Sequence, residues 1–128
     1  MASTEFELDQ FVQGNLIAWN VTTQCGYLPT IKLVAGSRTF FTMNKTTLDH
    51  NLQLLGNGSA TIDTAETLKL VITIPQSVQI KSSIVAGAIS DKKAKKVGYI
   101  YDICIEDSYD DDYNDVYVNI VGWKNQAT

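Results

Sequence analysis

With 128 residues, 45 % of them hydrophobic and 19 % charged, the chain is sized for one domain, 1–128, and its composition excludes a disordered polar segment. No apolar run approaches the roughly 20 residues that cross a bilayer, so membrane insertion is not expected, and the start MASTEFELDQF lacks the basic and apolar parts of a signal peptide. The net charge of −4 speaks against nucleic acid as a partner.

In chain order, seven runs read as strands: NLIAWNV (15–21), TIKLVA (30–35), RTFFTM (38–43), TLKLVITI (67–74), SVQIKSSIVAGAI (77–89), VGYIYDICI (97–105) and VYVNIVGW (116–123). They are rich in β-branched and aromatic residues, and several alternate with period two. In the sixth run Val97, Tyr99, Tyr101, Ile103 and Ile105 share one face. AGS, GNGS, PQS and SDKKAKK supply turn chemistry between the runs. KTTLDHNLQLLG (45–56) has a helical stripe of Leu48, Leu52 and Leu55, but in this β context a loop plus a short strand is expected. The fold class predicted is all-β, an antiparallel sandwich of about seven to nine strands.

The charge is unevenly placed. Six of the 14 acidic residues fall within 106–115, in EDSYDDDYND, and the rest of the chain carries 10 basic against 8 acidic residues. Carboxylates this dense repel one another unless they are solvated, protonated or bound to a cation. An EF-hand loop would place Asp110, Asp112 and Asn114 at positions 1, 3 and 5, but it needs Gly at position 6 and Glu at position 12, where this chain has Asp115 and Val121. A free acidic tail does not fit either, because strand-like runs flank the segment on both sides. Hard oxygen ligands without His or Cys point to Ca²⁺ rather than Zn²⁺ or Mg²⁺. Two such ions would cancel the net charge of −4.

EDSYDDDYND, followed by alternating β residues and Trp123, resembles the signature Glu-Asp-x-x-Asp-x-Asp-Tyr-Asn-Asp of bacterial calcium-dependent fucose/mannose-binding lectins of the Pseudomonas fucose-lectin type. The resemblance implies two adjacent Ca²⁺ ions that share carboxylates and bind sugar hydroxyls directly. Glu106, Asp110, Asp112 and Asp115 would hold one ion, and Asp112, Asn114 and Asp115 the other. Asp107 would accept a hydrogen bond from a sugar hydroxyl, while Asp111 falls at a variable position and is expected in solvent. TQCGYLPTIKLV resembles the first sugar-facing loop of the same family. There the backbone carbonyl of Thr23 would face the second ion, and Gln24, Cys25 and Gly26 would form the short loop that tunes sugar preference. Two departures stand out. Gln24 and Cys25 replace small residues, and the chain runs past Trp123 to Thr128, with Lys124 in place of proline and no terminal glycine.

The expected function is therefore calcium-dependent binding of L-fucose, D-mannose or glycan ends, without catalysis, by a homodimer or homotetramer. The rival is a structural or adhesion module in which Ca²⁺ only fastens the loop. A glycosidase is disfavoured because six packed carboxylates suit a cation better than proton shuttling. His50 reads as a loop histidine without a special role. The lysines at 92, 93, 95 and 96 read as a solvated hairpin tip, and Trp19, Trp123, Tyr99, Tyr101 and Tyr117 as core or interface residues. Cys25 and Cys104 are expected as free thiols, with a bridge between them left open. The lack of a leader suggests a cytoplasmic protein, or one released to the cell surface by a leaderless route.

Overall fold

Alternation of apolar and polar residues dictates sheets that bury one face, and two such sheets stack in the computed structural model, which describes residues 1–107 and 111–124. Nine strands are found among the described residues: β1 (Ala2–Glu7), β2 (Leu16–Thr23), β3 (Thr30–Ala35), β4 (Arg38–Asn44), β5 (Gln53–Thr61), β6 (Leu68–Ile74), β7 (Lys81–Ser90), β8 (Lys96–Glu106) and β9 (Val116–Trp123). A four-stranded sheet has the order β1-β6-β3-β4 and a five-stranded sheet the order β5-β2-β9-β8-β7. Every pairing is antiparallel. The sandwich expected from the sequence is borne out.

The core lies between the inner faces. Ile31, Leu33, Leu70, Ile72 and Ile74 come from the smaller sheet, and Ile17, Val21, Ile103, Ile105, Val118 and Ile120 from the larger; all are buried. Trp19 and Phe41 bridge the sheets with ring centroids 5.1 Å apart. Ile72 is fully buried in β6, which pairs on both sides, so truncation removes apolar contacts from the middle of the core. Ile72→Ala is expected to cost about 2–5 kcal/mol in urea unfolding.

The short strand expected at the end of 45–56 is the start of β5; β1 and the rest of β5 escape sequence patterning. β1 is polar and half-buried, and it belongs to the sheet through its backbone ladder with β6. β5 passes straight through GNGS, the segment expected to turn. Its glycines serve packing: a Cβ on Gly58 would lie 2.8 Å from Trp19 Cζ2, and one on Gly56 would lie 2.6 Å from Met43 Cε. The stretch 45–52 is a loop, as expected. Buried Lys45 donates to the carbonyls of Thr47 and Asp49, the latter at 2.9 Å, taking up acceptors that a helix would use. Both cysteines are free thiols.

Candidate metal centre

The acidic segment connects β8 to β9, two neighbours in the larger sheet, and β2 closes on the far side of β9. Register brings the three strand ends together: Ile105 and Thr23 both pair with Val116. Asp115 N–H donates to the Ile105 carbonyl at 3.1 Å, and Gln24 N–H donates to the Asp115 carbonyl at 3.1 Å. The last ladder bonds of the sheet thus position the start of the acidic segment, its end and the loop after β2.

Glu106, Asp112 and Asp115 converge, with one carboxylate oxygen from each within 4.8 Å of the others. Glu106 and Asp115 are buried and Asp112 is exposed, so the cluster reaches the surface at Asp112. Asp107 is buried as well; its N–H donates to Asp115 Oδ2 at 2.8 Å, and its carbonyl accepts from Ser77 Oγ at 2.7 Å. Tyr113 N–H donates to Glu106 Oε1 at 3.3 Å. Burial pushes the Asp115 carboxyl up to about 6, and the neighbouring Asp107 charge adds to the rise, against the opposing effect of the Asp107 N–H bond.

Backbone conformation is unusual at the same place. Asp111 and Tyr113 are left-handed, with φ of 55° and 54°. Neither is glycine; aspartate visits this region readily, whereas tyrosine does so at a cost that its surroundings, including the Tyr113 N–H bond to Glu106, offset. Asp111 itself points away from the cluster into an exposed ion pair with Lys81 Nζ at 2.8 Å.

The donor set suits a hard cation. Three carboxylates within reach of one point, two of them taken out of water, are costly as bare charges, and a divalent ion offsets that cost. Asn114 lies beside them, its Nδ2 donating to Gln24 Oε1 at 3.1 Å. Thr23 is fully buried at the end of β2, and its hydroxyl has no hydrogen-bond partner. Asp110, expected as a calcium ligand, lies outside the described residues, as does the Thr128 carboxylate.

Next to the cluster is a cavity of about 380 Å³ lined by Gln24, Gly26, Tyr27, His50, Asp107, Asp112, Asn114 and Asp115. Gln24 and Gly26 from the expected sugar-facing loop reach it. Cys25 does not line it: the thiol is buried, donates to the Tyr27 carbonyl at 3.6 Å, and is pushed up to about 11 chiefly by burial. Tyr27 and His50 are lining residues that sequence reasoning missed. His50 arrives from the Lys45-clamped loop and packs on Gly26, where a Cβ would lie 2.7 Å from Nε2. A lone histidine in an irregular segment carries no periodic signal that would have found it.

No family model and no curated sequence matches the chain. Solved structures do resemble it. A high-affinity mannose-binding lectin of Ralstonia solanacearum aligns with a TM-score of 0.63 and 15 % identity over 91 % of this chain and 94 % of that one. The C-terminal domain of the BC2L-C lectin from Burkholderia cenocepacia aligns at 0.65 and 18 % over 94 % and 99 %. The Chromobacterium violaceum lectin CV2L, solved with alpha-methyl-fucoside, aligns at 0.59 and 16 % over 88 % and 97 %. This two-sheet fold is one that the chain shares with bacterial lectins.

Proposed function

We propose that this protein is a lectin: a carbohydrate-binding protein that recognises fucose- or mannose-type sugars through Ca²⁺ held at the β8–β9 connection. The observation that carries the reading is the convergence of Glu106, Asp112 and Asp115 within 4.8 Å at the edge of a polar cavity. The likeness of fold to lectins named for mannose binding or solved with a fucoside supports it.

Glu106, Asp110, Asp112, Asn114 and Asp115, with the Thr23 carbonyl, would hold the metal, as two ions in the resemblance. Bound Ca²⁺ would supply positive charge and open coordination positions for neighbouring hydroxyl oxygens, which an apolar pocket cannot match. The chain's own groups then orient the ring. Asp107 would accept from a hydroxyl, and it lines the same space as Gln24 and Gly26. The Gln24–Asn114 hydrogen bond ties the specificity loop to a metal ligand, so a change at Gln24 alters sugar preference and metal hold together. Recognition is an equilibrium without turnover. Single sugar sites are weak, and a homodimer or homotetramer would raise avidity on a glycan-bearing surface.

Titration calorimetry of L-fucose and D-mannose, in millimolar Ca²⁺ and again in excess EDTA, tests this. Heat that appears only with calcium is the expected result and ranks the two sugars. No heat with either sugar, on protein whose melting temperature rises with calcium, would leave the structural module as the function.

A further inference from the structure

The opposite end of the sandwich carries a second hollow, also of about 380 Å³. Asp9, Gln10 and Phe11 line it from the loop between β1 and β2, and Lys96, Tyr99 and Trp123 from the start of β8 and the end of β9. Gly98 in this hollow lies eight positions before Glu106 of the acidic cluster along β8, which at strand rise is roughly 25 Å.

Its wall is Trp123. Alternation along β9 turns Val116, Val118 and Ile120 inward and leaves Trp123 on the outer face, 40 % exposed, whereas Trp19 is 6 % exposed in the core. Trp123 pairs in register with Gly98. A Cβ on Gly98 would lie 3.0 Å from Trp123 Cδ1 and 2.5 Å from the Gly122 carbonyl oxygen, so glycine there lets the indole lie against the β8 backbone.

The rim is held as firmly. Phe11 fills the space a Gly122 Cβ would take and meets Tyr101 edge-on, ring centroids 5.2 Å apart. Gln10 N–H donates to the Tyr101 hydroxyl at 3.2 Å, which donates to Asp9 Oδ1 at 3.3 Å. Lys96 Nζ donates to Gln10 Oε1 at 2.9 Å and stands 5.2 Å from the Tyr99 ring centroid. The hollow thus brings a partly exposed indole together with a carboxylate, an amide and an ammonium. Mixed acceptors and donors beside an aromatic ring match a polyhydroxyl ring that is apolar on its faces and polar at its edge.

We propose that this hollow is a second saccharide site, independent of calcium, which takes a neutral pyranose of the β-glucopyranoside class stacked on Trp123. That class follows from geometry: with every substituent equatorial, both ring faces present only axial C–H groups to an aromatic plane. Calcium coordination selects neighbouring hydroxyl oxygens instead, so the two ends sort sugars by different chemistry. A single chain would bridge two glycans before any oligomer forms. The proposal goes beyond the calcium reading and stands apart from it, since its test is run without metal.

The test follows the two indole N–H resonances of ¹⁵N-labelled protein in excess EDTA, with methyl β-D-glucopyranoside as probe. The Trp123 resonance is expected to move saturably, with a half-point on the order of 1–10 mM for one small sugar, while the Trp19 resonance stays. Saturation transfer to the glycoside should weaken in Trp123→Phe, vanish in Trp123→Ala, and fall in Lys96→Gln, an exposed change that leaves the core alone. A Trp123 resonance that stays put up to about 100 mM glycoside overturns the proposal, as does transfer that is undiminished in Trp123→Ala.

Discussion

In the Asp115→Asn variant, millimolar Ca²⁺ should raise the melting temperature hardly at all, where the parent chain gains on the order of 10 °C. The parent figure follows from linkage: an ion present at 100 times its dissociation constant adds about 2.7 kcal/mol, and each kcal/mol moves the midpoint of a domain this size by about 4 °C. Asp115 is buried, accepts from the Asp107 N–H and has a carboxylate oxygen within 4.8 Å of those of Glu106 and Asp112, so losing its charge removes a central anion of the cluster. The metal-free comparison runs the other way. Asparagine still offers an oxygen to the Asp107 N–H but has no charge to bury, so metal-free Asp115→Asn should melt above the metal-free parent at pH 7. A variant that responds to calcium as the parent does would remove Asp115 from the metal site. Lys81→Ala, which removes the exposed ion pair with Asp111, should keep the calcium response within about 1–2 °C.

The pH dependence of the same protein should change sign with metal. Burial raises the Asp115 carboxyl from 3.8 in the unfolded chain to about 6 in the fold. The folded state therefore holds this proton more tightly. The stabilisation is fully present below the unfolded value, and it is lost as pH rises through about 6. In EDTA the melting temperature should fall between about pH 4 and 6 from this group. With calcium present the ion competes with the proton, so its stabilising effect should shrink as pH drops through the same window. Melting curves at pH 4, 5, 6 and 7, with and without calcium, should converge at the acid end and diverge toward neutrality. Parallel curves across the window would mean that this carboxyl does not bind the ion.

Much of this protein was legible as sequence. β3, β6, β8 and β9 alternate because each buries one face, and that periodicity is local and survives in a string of letters. The acidic segment raised the expectation of a cation through the cost of unpaired charge, and the fold brings one carboxylate oxygen each of its Glu106, Asp112 and Asp115 within 4.8 Å of one another. β1 and the Gly-Asn-Gly-Ser part of β5 were not legible, since a polar strand enters a sheet through backbone pairing, and a segment with turn chemistry becomes strand here because Trp19 and Met43 fill the space above its glycines.

Which side chains face the cavity was also a tertiary decision. Neighbours Gln24 and Cys25 point to different surroundings, one to Asn114 and one into the interior, because the chain turns between them at the end of β2. His50 reaches Gly26 across 24 residues of sequence because Lys45 folds its loop back over the site. Trp123 lies in a buried-looking strand and yet faces outward, its place set by the pairing of β9 with Gly98. Composition and spacing determined the fold class and the chemistry on offer. Register, which depends on contacts distant in sequence, decided which of those groups come together.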